Sequence, residues 1–101
     1  MATLFSSRAG IEIFGEGVAC RASWPLGSVE FDAESFTFTA LIKSYRLSLQ
    51  DIEHLEFGWQ GIQFVHHNSD VPSLVRIRGF GLSRRLQEAI QQHHLGVQVR
   101  A

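Results

Sequence analysis

Five histidines, one cysteine and ten carboxylates are the side chains of this 101-residue chain from which a metal or catalytic site could be assembled. Their spacing decides which of them can act together. His66 and His67 are neighbours on an alternating segment and point to opposite faces, while His93 and His94 lie about 100° apart on a helix. Chelation asks for i, i+2 on a strand or i, i+4 on a helix, so no metal is expected. Cys20 alternates with Val18 and Ala22 on an inward-reading face, the place of a small core residue rather than of a thiolate nucleophile. No Gly-x-Ser-x-Gly elbow strains a serine onto a turn, and Gly15-Glu16-Gly17 lacks both the third glycine and the following helix of a phosphate cradle. The chain reads as non-enzymatic, without catalytic residues and without a cofactor.

Binding chemistry is better represented. Trp59 and Gln60 stand between Gly58 and Gly61 in a hairpin loop. An exposed tryptophan there would be a partner contact, since such side chains dominate interface hot spots; the competing arrangement folds its ring onto Phe57 or Ile62. Arg76 and Arg78 project from one face of a strand, and Arg84 and Arg85 open a helix, a patch that could meet an anionic ligand. The competing arrangement pairs them with Glu53, Glu56 or Glu88 on solvated faces.

Composition narrows the partners. Nine basic and ten acidic residues leave a formal charge of -1, with no global field for nucleic acid or an anionic membrane. Hydrophobic residues make up 45% and charged residues 19%, the balance of a globular domain with one core. A lone cysteine cannot form an internal disulfide, no signal-peptide pattern opens the chain, and no apolar run approaches the roughly 18 residues of a membrane span. A cytoplasmic protein is expected.

The elements that must position these residues follow from period-two alternation. Strands are expected at Val18–Trp24, ended by Pro25, and at Val29–Asp32, Phe36–Thr39, Tyr45–Leu49, Ile52–Phe57, Ile62–His67 and Val75–Arg78. Ile52 falls out of phase with Leu55 and Phe57, which predicts a bulge or a twist there. The period then changes: Leu82, Leu86, Ala89, Ile90 and His93 form one stripe of a helix of about 13 residues, with Gly96 as a plausible cap. Phe31, Phe38, Leu47, Phe64, Ile77, Leu86 and Ile90 are the expected core. Residues 1–14 could add a strand through Ile11 and Ile13. One domain spans 1–101, its core 18–95, and the helix should plug a barrel mouth.

This layout resembles a pleckstrin-homology-like domain, most of all the small bacterial versions: a barrel of about seven antiparallel strands capped by one C-terminal helix. The resemblance rests on Trp24-Pro25-Leu26 before Val29-Glu30-Phe31-Asp32, Tyr45-Arg46-Leu47-Ser48-Leu49 running into Asp51-Ile52, Gly61-Ile62 with Phe64-Val65-His66, and Val75-Arg76-Ile77 before the helix. It implies a mainly β fold and a choice among lipid, peptide and structural roles. Lipid-binding members hold a phosphoinositide with cations around the first inter-strand loop. Here Trp24 to Ser28 carries none, and Asp32 and Glu34 in the next loop would repel phosphate. The expected function is therefore a binding or scaffolding module for a protein partner or for self-association, with weak attachment to anionic lipid through the arginine patch as the alternative.

Overall fold

A computed structural model describes residues 2–100. Eight strands form one curled, half-barrel sheet: β1 (Phe5–Gly15), β2 (Val18–Phe31), β3 (Ser35–Ala40), β4 (Lys43–Ser48), β5 (Ile52–Gly58), β6 (Gly61–His66), β7 (Leu74–Arg78) and the short β8 (Val99–Arg100). The helix α1 (Leu82–Gln92) lies between β7 and β8 in sequence. Strand order across the sheet is β4-β3-β2-β1-β7-β6-β5-β8, antiparallel except for β8 beside β5.

The N-terminal segment is a full strand at the centre of this sheet. Ala9, Ile11 and Ile13 are buried on one side, and β1 pairs with both β2 and β7. The two strands expected at Val18–Trp24 and Val29–Asp32 are instead one strand, β2. Pro25 does not end it because the β1–β2 register breaks between Ala9↔Gly27 and Ile11↔Ala22. Ser23 to Leu26 stand off the ladder there, where a residue without an N–H leaves no bond unmade. The same bulge turns Trp24 outward: it is 48% exposed rather than part of the core. Gly27, back on the ladder, packs its Cα where a Cβ would lie 2.7 Å from the Ala9 carbonyl oxygen.

The remaining strands follow their alternation. Asp32 Oδ1 accepts from the backbone N–H of Glu34 and of Ser35 at 2.8 and 2.9 Å, closing the β2–β3 turn. Around Ile52 the β5–β6 register shifts, which lets Ile52, His54 and Leu55 all be buried. At the β5–β6 hairpin Gly58 faces Gly61 and leaves Trp59 and Gln60 as the loop. Gly61 sits at φ 124°, and a Cβ there would run into the Ile77 carbonyl of β7.

All seven expected core residues are buried. Phe64 meets the rings of Phe36 and Phe38 edge-on, with centroids 4.9 and 4.8 Å apart, and Phe36 packs on Phe31 at 5.2 Å. Leu82, Leu86, Ala89 and Ile90 of α1 join the same cluster. The sheet does not close into a complete barrel: β4 is one edge and β8 the other, and a single 3-10 turn at Leu49–Asp51 carries the chain from β4 to β5 without pairing them. The helix stops at Gln92, and the left-handed residue after it is His94 (φ 52°) rather than Gly96. Beyond it the Leu55 N–H bonds the Gln98 carbonyl at 2.8 Å, which seats β8 on the β5 edge.

Candidate functional site

Trp59 is 93% exposed at the tip of the β5–β6 hairpin, so of its two arrangements the exposed one is adopted. Beside the indole runs a groove of about 400 Å³ lined by Glu56, Phe57, Gln60, Gln63, Arg76 and Arg100 among others. Gln60 Oε1 accepts from Arg76 Nη1 at 2.8 Å, which ties the loop to β7. The site is therefore a fixed aromatic tip above a polar groove.

The four arginines of the expected patch are not one patch. Arg76 and Arg78 lie on the outer sheet face and converge on Glu12 of β1: Arg78 Nη2 donates to Glu12 Oε1 at 2.7 Å, and Arg76 Nε stands 3.6 Å from the same oxygen. Arg21 of β2 approaches the other oxygen at 4.0 Å. Arg84 reaches Glu88 one turn along the helix at 3.3 Å. Arg85 donates to Ser7 Oγ at 3.0 Å and to the Phe80 carbonyl at 3.2 Å. Of the acidic partners the sequence suggested, only Glu88 is used. The principal one, Glu12, was missed because its register with β7 depends on a strand 66 residues away, although its alternation with Ile11 and Ile13 already marks it as outward.

Electrostatics at Glu12 follows from this geometry. The hydrogen bond from Arg78 holds its carboxyl below the usual carboxylate range against the opposing effect of partial burial, and the charges of Arg78, Arg76 and Arg21 add to it. Arg76 Nε is buried without a hydrogen-bond partner among the described residues.

His66 serves a loop. His66 Nδ1 accepts from the Asn68 N–H at 3.0 Å and its Nε2 donates to the Pro72 carbonyl at 2.9 Å, bracing the β6–β7 connection. His54 bonds Glu56 at 2.9 Å along β5. Among the described residues no three His, Cys, Asp or Glu side chains converge as a metal site would require, and no helix is long and apolar enough to cross a membrane.

No family model, curated protein or solved structure matches this chain. Sequence reasoning also missed the pairing of Trp24 with Phe80, whose rings meet edge to face at 5.5 Å on the outer surface. The pairing depends on the β2 bulge, which turns Trp24 outward.

Proposed function

We propose that this chain is a non-catalytic binding module of pleckstrin-homology-like fold that engages a protein partner, or a second copy of itself, through the β5–β6 tip at Trp59 and Gln60. The fold assignment draws support from the run β4-β3-β2-β1-β7-β6-β5 followed by a C-terminal helix. The observation that carries the function is the 93% exposure of Trp59 on a turn fixed by Gly58, Gly61 and the Gln60–Arg76 bond. Exposing an indole forgoes the burial of a ring that buries on the order of 200 Å² in a core or interface, and a docking partner recovers it.

The unpaired outer edge of β4 offers a further route to self-association, and the hairpin tip beside it exposes Leu41 and Ile42. Attachment to anionic lipid is the weaker reading: Arg84 faces Glu88, Arg85 is turned back to Ser7 and Phe80, and Arg76 and Arg78 share Glu12 on a different face. A reducing compartment such as the cytoplasm suits the single unpaired Cys20.

The test is capture from a native extract by the immobilised wild-type chain and by Trp59→Ala. The proposal expects a discrete retained protein, or a second copy of this chain, to be lost with Trp59→Ala while thermal stability is unchanged. Identical retention by both would remove the tip from the binding surface.

A further inference from the structure

A second aromatic site occupies the other side of β7 and shares no lining residue with the groove under Trp59. Trp24 and Phe80 contact each other at 5.5 Å with their rings at 89°, yet they remain 48% and 82% exposed. Leu26, two residues along the bulge, is 63% exposed. Trp24, Phe80, Gly79 and Arg78 line a recess of about 310 Å³. An adjoining recess of about 140 Å³ is lined by Glu12, Arg21, Trp24 and Arg78 among others. Trp24 and Arg78 thus form a partition between an apolar compartment and a basic one.

Gly10 lets the chain pack closely at this corner: opposite the bulge, a Cβ there would lie 3.2 Å from the Arg78 stem and 3.3 Å from the Trp24 backbone nitrogen. The charge balance here is one-sided. Arg21, Arg76 and Arg78 share the single carboxylate of Glu12, and Arg21 is 68% exposed. Glu12 orients these guanidiniums and leaves most of their N–H groups unused, and planar forks so arranged accept further carboxylates.

We propose that this corner binds an acidic peptide segment carrying a bulky apolar side chain. The apolar side chain seats against Trp24 and Phe80, and carboxylates flanking it in the peptide pair with Arg21 and Arg78. A peptide fits better than a lipid surface because the site is concave and divided at the scale of successive side chains. This site goes beyond the Trp59 reading and stands without it.

The chain has two tryptophans, so Trp59→Phe leaves Trp24 as the only indole reporter. Its emission is followed during titration with an Asp/Glu-rich peptide containing one Phe, with the same peptide carrying Ala for Phe, and with the same peptide carrying Lys for the acids. The proposal expects a saturable shift with the first peptide that weakens about tenfold between about 50 and about 300 mM salt. The other two peptides should bind about tenfold more weakly or not at all. Adding Phe80→Ser, or separately Arg21→Glu, should weaken the first peptide about tenfold while leaving far-UV dichroism and the melting curve in place. No response to the acidic Phe peptide at millimolar concentration overturns the proposal, as does an equal response to the Lys peptide or undiminished binding by Phe80→Ser. A shift with phosphatidylserine vesicles in the absence of one with the peptide overturns it in favour of a lipid surface. A shift on concentrating the protein alone, with doubled mass and no peptide response, overturns it in favour of a second copy.

Discussion

Arg78 Nη2 donates to Glu12 Oε1 at 2.7 Å across the β7–β1 ladder, which makes one carboxylate the meeting point of guanidiniums from two other strands, β2 and β7. Since this bond is the largest influence holding the Glu12 carboxyl low, the folded state binds its proton less readily than the unfolded chain does. The stabilisation is then present above the ordinary Glu value of about 4.3 and is lost as pH falls through the lower folded value. Urea midpoints measured downward from about pH 5 should fall less steeply for Glu12→Gln than for the wild type. Asp32, held low chiefly by the Glu34 backbone N–H, keeps part of the slope in both proteins. Parallel slopes would mean that the arginine cluster adds nothing to folding.

Gly61 tests how tightly β6 is held against β7. Its φ of 124° and the Ile77 carbonyl in the space of a Cβ both oppose a side chain. Gly61→Ala should destabilise by about 2 kcal/mol or more in equilibrium unfolding. At Gly17, which also has positive φ but has open space around it, the same change should cost about 1 kcal/mol.

The aromatic centre should be the costliest place to make a cavity. Phe38→Ala and Phe64→Ala should each lose about 3 to 5 kcal/mol, and because their rings touch at 4.8 Å the double mutant should lose less than the two single losses added together. Denaturant melts with losses below about 1 kcal/mol at both sites would contradict the packing.

Much of this packing could be read in advance. Phe31, Phe38, Leu47, Phe64 and Ile77 announced themselves by alternation, Leu86 and Ile90 by helical spacing, and Ile52 announced its bulge by falling out of phase. The bulge at Ser23 to Leu26 was hidden because proline and glycine look the same in sequence whether they end a strand or interrupt its ladder. That ambiguity hid the outward turn of Trp24, and with it the Trp24–Phe80 contact. The Trp59 tip was legible because its two glycines specify a turn locally. The Glu12 cluster was not, since it requires strand order, and β1 reaches β7 only after most of the chain has intervened.

The helix and the tail after it cover the concave side of the half-barrel. A chain ending at Phe80 would lose Leu82, Leu86, Ala89 and Ile90 from the buried cluster and would uncover the β5 edge now paired with β8. It should fail to unfold cooperatively and should aggregate, as judged by urea melts and light scattering. A soluble, cooperatively folding truncation would contradict the role given to α1.

The central claim is that Trp59 is a contact surface. A photo-reactive benzoylphenylalanine in place of Trp59, irradiated in native extract, tests it most directly, with the same group in place of exposed Gln91 as the reference. The account predicts a discrete crosslinked product at position 59, either a second copy of this chain or one other protein, and none at position 91. Equal, diffuse labelling at both positions would contradict it.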